Sequence, residues 1–194
     1  SWDVARFETV AHRWVHVGEP GFGVAIANDS TYGHDITRAP REGGGTASTV
    51  RLSLLRAPLF PDPEADQGRH AFRVGIRPDA GIADAVREGY RLNLPARSMR
   101  GSGPVAPLFA VSSDAIVIEA VKLAEDRSGD VIVRLYEAHG GRAVGEVTPS
   151  FDFGSVAETD LLERETPRAA VTGVATGVEL SLRPFQLVTL RFAR

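Results

Sequence analysis

Residues 22–33 have the sequence FGVAIANDSTYG, in which a short apolar run ends in a polar loop. Residues 22–27 are apolar on both faces, which is typical of a strand buried between two layers. Asn28 and Asp29 tolerate a left-handed backbone, so the polar half can turn sharply. A second stretch, TVRLSLLRAPLFPDPEADQG at residues 49–68, follows the same plan with a proline-rich acidic loop. We therefore expect strands to carry two loops that hold most of the candidate ligand-contacting residues.

The remainder of the first hundred residues predicts a β scaffold. The expected elements are a strand at 5–17, a flexible glycine-rich connection at 38–48, a strand at 49–56 and a short helix at 81–93. Residues 70–76 alternate apolar side chains with arginines, which predicts an antiparallel strand whose arginine side is solvated. In this pattern His70 is in phase with Phe72 and Val74, which favours a packed histidine with a satisfied hydrogen bond.

The second half has a different texture, and we place a domain boundary in the glycine- and proline-rich stretch 95–107, giving domains at 1–100 and 101–194. After it come short strands spaced by roughly ten residues, which is typical of a small immunoglobulin-type sandwich. The expected strands are 115–123, 131–136, 143–147, 156–162, 177–182 and 185–192.

Composition narrows the function classes. The 194 residues carry a net charge of -3, which gives no reason to expect nucleic acid or an anionic membrane as a partner. No apolar run approaches the roughly 20 residues that a spanning helix needs. The absence of cysteine excludes disulfides and thiolate metal sites and favours an intracellular location. Because the sequence begins abruptly with Ser-Trp-Asp, we expect a fragment of a longer protein.

No self-contained catalytic motif is present: there is no GxSxG elbow, phosphate-binding loop, dinucleotide fingerprint or HExxH. Asp62, Glu64 and Asp66 alternate in a way that could supply oxygen ligands to a hard cation. The position where a calcium loop needs its bidentate glutamate is Arg73, however. A solvated or substrate-facing loop is therefore favoured over a metal site.

Arg56 stands at the end of the apolar run and precedes Ala57-Pro58, a context that favours an extended backbone at Ala57. Its guanidinium could offer planar paired donors to a sugar hydroxyl or to a carboxylate of a neighbouring domain. The alternative is a structural salt bridge to Asp62 or Asp66. The spacing of these residues in the sequence does not distinguish a ligand or domain contact of Arg56 from a structural salt bridge.

The sequence resembles the C-terminal part of family 38 glycoside hydrolases, the α-mannosidases, and in particular their intracellular, metal-dependent branch. The resemblance is carried by SWDVARFETVAHRWVHV, GFGVAIANDSTYGHD and LRAPLFPDPEADQGRHAF, and continues in EAVKLAED, VIVRLYE and PFQLVTLRF. It departs from that branch where Ala27 replaces a leucine and where Ser30-Thr31 replaces a Cys-Lys pair.

The resemblance implies retaining hydrolysis of α-linked mannosides by a carboxylate nucleophile and a carboxylate acid/base. It places those carboxylates, and a divalent zinc or cobalt ion, on an N-terminal α/β barrel that this sequence lacks. We therefore expect no catalytic residue, metal or cofactor in these 194 residues. The implied fold is all-β: part of a large sandwich of the galactose-mutarotase type, followed by the small sandwich.

The resemblance also implies partners and a place for the two loops. The partners are the chain's own catalytic barrel and an α-mannoside or oligomannose substrate, in the cytoplasm, with a homo-oligomer possible. The candidate residues at the substrate cleft or the barrel interface are Asn28, Asp29, Tyr32, Arg56, Asp62, Asp66 and His70. The alternative function is a free-standing carbohydrate-binding module, against which the aromatic content of 7% argues.

Overall fold

The computed structural model describes residues 8–166, 171–174 and 176–194, with 171–174 described for their backbone alone. The chain divides into two compact units, residues 1–97 and 98–194. The all-β prediction is confirmed, since a single helix accompanies fourteen strands in the described residues. None of these residues belongs to a helix with both the length and the apolar character that crossing a membrane requires.

The first unit contains two three-stranded antiparallel sheets. One sheet has the order β1-β4-β5 and the other the order β2-β3-β6. The elements are β1 (Thr9–Val10), β2 (Trp14–Glu19), β3 (Phe22–Asn28), β4 (Gly33–Pro40), β5 (Thr46–Leu52), β6 (Val74–Pro78) and the helix α1 (Ile82–Asn93).

The helix α1 packs on one face of the β2-β3-β6 sheet, as its amphipathic spacing predicts. The small core there consists of Ala25, Ala80 and Ala85, with Trp14 packed against it. The helix comes so close to β2 that a Cβ on Gly89 would lie 2.9 Å from Cδ1 of Trp14. The glycine that lowers helix propensity is therefore required by this contact.

The prediction that the arginine side of β6 is solvated is wrong. Arg77 lies on the helix side, where its guanidinium pairs with Asp84 at 2.9 Å and Glu88 at 3.0 Å. The apolar side is the exposed one: Ile76 is 70% exposed and Val74 is 45% exposed. The side chains of β6 alternate as predicted, but α1 covers the arginine face, because Asp84 and Glu88 supply partners for the charge.

Three strand boundaries also differ from the prediction. The expected strand at 5–17 is split into β1 and β2, because Arg13 has a φ of 72° and the chain changes sheet there; residues 5–7 lie outside the described part. The expected strand at 49–56 ends at Leu52. The expected flexible connection at 38–48 is mostly a β4–β5 hairpin, with positive φ at Gly43, Gly44 and Gly45 in its turn.

Between the β2-β3-β6 sheet and the β4–β5 hairpin lies an open groove of about 590 Å³. The sheet contributes apolar residues to it and the hairpin contributes mostly polar ones. The groove is lined by Val17, Gly18, Glu19, Phe22, Val24, Ile26, Arg38, Thr46, Ser48 and Val50. The first unit thus leaves much of one apolar sheet face uncovered.

The second unit is an antiparallel β-sandwich of two four-stranded sheets, ordered β12-β13-β10-β7 and β11-β14-β9-β8. Its strands are β7 (Phe109–Val111), β8 (Ile116–Leu123), β9 (Val131–Glu137), β10 (Ala143–Pro149), β11 (Ser155–Thr159), β12 (Val171–Val174), β13 (Gly177–Leu182) and β14 (Leu187–Ala193). Inward-facing residues of both sheets, among them Leu135, Leu180, Leu190 and Phe192, fill one continuous core. Sequence periodicity located six of these strands and missed the short β7 and β12.

Candidate functional site

Asn28 ends β3 and closes the turn that follows it. Its side chain is 2% exposed, and Oδ1 accepts a hydrogen bond from the backbone N–H of Thr31 at 3.2 Å. Its backbone carbonyl accepts a bond from Nδ2 of Asn93 at 2.8 Å, which ties the turn to the end of α1. No residue of the described part pairs with Nδ2 of Asn28. The contacts of Asn28 are therefore those of a residue that fixes the loop from inside.

Asp29 joins the two loops that the sequence singles out. Its Oδ1 accepts the backbone N–H of Arg73 at 3.0 Å, and its Oδ2 accepts Nε of the same residue at 2.8 Å. These hydrogen bonds, first the one from the Arg73 side chain, lower the pKa of Asp29 from 3.8 to about 2. The carboxylate is therefore ionised at neutral pH and occupied by the scaffold.

Tyr32 and His34 face opposite environments. Tyr32 is 52% exposed, and its ring meets that of His12 edge-on, with centroids 5.1 Å apart. His34 is fully buried, with Nδ1 3.2 Å from the carbonyl oxygen of Tyr32. Because a carbonyl accepts, Nδ1 is the protonated nitrogen of His34. Tyr32 thus presents its ring at the surface of the unit, while His34 supports the backbone beneath it.

Residues 53–73, here called the long loop, contain no strand or helix. Both ends of the long loop are fixed on the first loop: the N–H of Ser53 donates to the carbonyl of Gly33 at 2.9 Å, and Arg73 is held by Asp29. A connection of this length is usually functional or disordered. Its closed ends and internal hydrogen bonds resemble the organisation of an Ω-loop.

Asp66 organises the interior of the long loop. Its Oδ2 accepts the backbone N–H of Ala57 at 3.0 Å, and its carbonyl oxygen lies 2.8 Å from Nε2 of His70. Asp62 acts in the same way nearby, since its Oδ1 accepts the N–H of Glu64 at 2.9 Å. Both carboxylates thus serve the backbone of their own loop, which is an alternative use to ligating a cation.

Arg56 is exposed and forms no hydrogen bond or ion pair with any residue in the described ranges. The predicted alternative of a salt bridge to Asp62 or Asp66 is not found. The prediction of an extended Ala57 is wrong, because its φ is 44°, in the left-handed region. The hydrogen bond from its N–H to Asp66 accompanies this conformation and places a sharp corner directly after Arg56.

His70 is exposed, so the expectation of a packed histidine is wrong, although the expected hydrogen bond is present, to the carbonyl oxygen of Asp66. The strand begins only at Val74, and His70 belongs to the long loop. Its ring stacks on Phe72 with centroids 6.0 Å apart and planes inclined by 11°. The chain reversal that brings His70 back to Asp66 displaces it from the strand pattern.

The seven predicted residues therefore fall into two linked groups. Asn28, Asp29 and Tyr32 form the first loop, whereas Asp62, Asp66 and His70 build the long loop that presents Arg56. Sequence reasoning missed Ser53 and Arg73, which join the two groups, and Asn93, which ties the first group to α1. Arg73 carried one usable signal, its place at the end of the long loop, but nothing in the sequence identifies a partner 44 residues away.

In the ranges that the structure describes, no group of three or more His, Asp or Glu side chains is placed to hold a metal ion. The donor set for zinc or cobalt is thus not found there, and no step of a reaction is assigned to a metal held by these residues. What the two loops offer instead is a surface with one exposed phenol, that of Tyr32, and two guanidiniums, those of Arg56 and Arg69, that are unpaired within the described residues.

Two family models match the chain. Residues 1–64 match the glycosyl hydrolases family 38 C-terminal domain, and residues 115–190 match the glycosyl hydrolases family 38 C-terminal beta sandwich domain. Alpha-mannosidase 2C1 of Homo sapiens is 38% identical over 98% of this chain, and alpha-mannosidase G of Dictyostelium discoideum is 33% identical over 99% of it. The chain spans only 18% of the length of each of these curated relatives.

Solved structures agree on the fold. A protein of glycosyl hydrolase family 38 from Enterococcus faecalis aligns with 95% of this chain at a TM-score of 0.63 and 20% identity. The alignment covers 22% of that protein. An alpha-mannosidase from Enterococcus faecalis V583 aligns similarly, with a TM-score of 0.62.

Proposed function

Because the chain belongs to glycoside hydrolase family 38, through the C-terminal domains of that family, we propose that it is the non-catalytic β region of a retaining α-mannosidase. The observation that carries the proposal is the coverage: curated relatives named alpha-mannosidase match 98% or more of this chain and 18% of their own length. In this proposal the residues that break the glycosidic bond lie in a catalytic domain outside the 194 residues.

The chemistry of a retaining glycosidase supports this division. It needs a nucleophilic carboxylate and an acid/base carboxylate, both directed at the scissile bond. The carboxylates of Asp29, Asp62 and Asp66 instead accept hydrogen bonds from their own scaffold. We infer that these three are positioning residues, and that the parent enzyme's divalent metal, zinc or cobalt, is held by the catalytic domain.

The two loops would then close one side of the substrate cleft or line the domain interface. Tyr32 and Arg56 are the two of the seven candidate residues whose side chains are exposed and make no hydrogen bond or ion pair within the described residues. A guanidinium can donate paired hydrogen bonds to sugar hydroxyls or to a carboxylate. We place the parent enzyme in the cytoplasm, with α-mannosides as its substrates.

The test compares two polypeptides: these 194 residues joined to a family 38 catalytic domain, called the longer polypeptide below, and the same catalytic domain alone. With an aryl α-mannoside, removal of the 194 residues is expected to lower kcat/KM by roughly 100-fold or more, since misplacement of cleft groups is costly. Equal kcat/KM for both polypeptides would overturn the proposal.

Calorimetry of the 194-residue chain with mannose and oligomannose provides a second check. A non-catalytic support is expected to bind neither sugar tightly, because the cleft is formed by two domains. Tight binding by the chain alone would instead identify a carbohydrate-binding module.

A further inference from the structure

The long loop carries an apolar tip at Leu59 and Phe60. Leu59 is 81% exposed and Phe60 is 87% exposed, which are among the largest exposures of any large apolar residue in the described ranges. Leu54 and Leu55, 49% and 46% exposed, precede Arg56 in the same loop. Exposed apolar side chains that are adjacent in one loop mark an interaction site more often than isolated ones do.

This tip is presented on a fixed backbone. Asp66 holds the N–H of Ala57, three residues before Phe60, and the ends of the loop are held by Gly33 and Asp29. Part of the conformational entropy that a free loop would lose on binding has therefore already been lost on folding of this chain. A fixed apolar tip is suited to docking against a second surface.

Arg56 gives the tip its charge. Its guanidinium is exposed and unpaired within the described residues, and it is next to Leu55 and near Leu59 in the sequence. Arginine and aromatic residues are enriched at the centres of protein interfaces, where an arginine is paired with a carboxylate as water is excluded. The complementary partner is therefore an apolar surface that carries a carboxylate.

We propose that the tip, defined as Leu54, Leu55, Arg56, Leu59 and Phe60, docks on an apolar, carboxylate-bearing surface of the catalytic part of the longer polypeptide. The proposal rests on the proposed function, because more than four-fifths of the length of each curated relative lies outside the region that this chain matches. In it, Leu59 and Phe60 are the anchors and the Arg56 ion pair fixes the register.

Hydroxyl-radical footprinting of the longer polypeptide tests this directly. Phe185, 72% exposed in the second unit, is the matched reference for Phe60. With each residue normalised to its reactivity in the denatured protein, Phe60 is expected to react about fivefold more slowly than Phe185, as an interface core excludes solvent. Equal reactivity of the two phenylalanines would overturn the proposal.

Two variants probe the ion pair. Arg56→Glu places like charges together and is expected to raise the reactivity of Phe60 to that of Phe185. Arg56→Lys keeps the charge and is expected to retain most of the protection. Protection of Phe60 that survives Arg56→Glu would overturn the assigned ion pair.

The remaining outcomes are separated by two further readouts. Protection that appears only as the protein self-associates, followed by sedimentation, or only on addition of mannose, would assign the tip to a second copy or to the sugar and overturn the proposal. Activity on an aryl α-mannoside is measured in the same samples. An active enzyme with a reactive Phe60 contradicts the docking alone, whereas an inactive polypeptide with a protected Phe60 contradicts the proposed function alone.

Discussion

The carboxylate of Asp29 accepts both the backbone N–H and the Nε of Arg73, at 3.0 and 2.8 Å, across 44 residues of sequence. This clamp connects the loop after β3 to the far end of the long loop. With the bond from Ser53 to Gly33, it gives the long loop two fixed ends. The two polar loops are therefore one structural unit, and a substitution at either end of the long loop is expected to alter the conformation of both loops.

Asp29→Asn is expected to lower the free energy of unfolding near neutral pH, because the charge and one good acceptor for Arg73 are lost. The pKa of Asp29 is lowered to about 2 in the folded chain, so its stabilising effect is present above the unfolded value of 3.8 and is lost as pH falls toward 2. Urea unfolding of both proteins should therefore show a constant difference above about pH 5 that shrinks between pH 4 and pH 2. A difference that does not change with pH would contradict the clamp.

The double variant Asp29→Asn with Arg73→Ala is the control. If the two residues act through each other, the double variant is expected to be no less stable than the poorer single variant. Full additivity of the two effects would show that they act separately.

Asp66→Ala in the longer polypeptide is expected to reduce kcat/KM in the same direction as Arg56→Ala, because Asp66 holds the corner that places Arg56. For Arg56→Ala we expect transition-state stabilisation, measured from kcat/KM, to fall by roughly 1–3 kcal/mol, the usual cost of leaving a buried polar partner unpaired. Asp62→Ala is the matched control variant, since Asp62 accepts a hydrogen bond from the backbone N–H of Glu64 and has no hydrogen bond to Ala57. Unchanged kcat/KM in Arg56→Ala would remove the assigned role.

How much of this could be predicted from the sequence depends on whether the cause is local. The strand at 22–28 and the helix at 82–93 follow from apolar spacing, and both were predicted nearly at their observed bounds. The side of β6 that is covered was predicted wrongly. Arg77 lies beneath α1 because Asp84 and Glu88 of that helix pair with its guanidinium, and the sequence of β6 itself does not reveal these partners.

The candidate site shows the same limit. The residue types of the two loops were identified from polar and proline-rich sequence alone. The left-handed Ala57 was not, because the residue before a proline normally prefers an extended backbone and only Asp66, nine residues later, explains the exception. Long-range hydrogen bonds of single side chains leave no periodic signal.

Gly89→Ala is expected to destabilise the first unit by about 1–2 kcal/mol, since overpacking outweighs the gain in helix propensity. The added Cβ would lie 2.9 Å from Cδ1 of Trp14 and 3.2 Å from Cβ of Arg13. Thermal unfolding measures the effect. Gly75→Ala is the control, since its Cβ would lie at an ordinary 3.9 Å from Cβ of Ala27; a larger loss there than at Gly89 would contradict the packing argument.

Glu137→Gln is expected to cost the second unit about 2–3 kcal/mol, as bonds to a charged acceptor are strong and one acceptor becomes a donor. Glu137 is fully buried, and its oxygens accept the N–H groups of His139, Gly140 and Phe185. Burial alone would raise the pKa of Glu137, but these backbone bonds outweigh it and lower the pKa. Denaturant unfolding is the measurement, with the exposed Glu179→Gln as a neutral control; equal effects would contradict this role.

The most direct test of the account is the hydrolysis of an aryl α-mannoside by the purified 194-residue chain, with zinc or cobalt supplied. We expect no turnover above the buffer blank, because the proposed function assigns the bond-breaking carboxylates to another domain. Turnover by the chain alone, abolished by Asp29→Asn or Asp66→Ala, would contradict it.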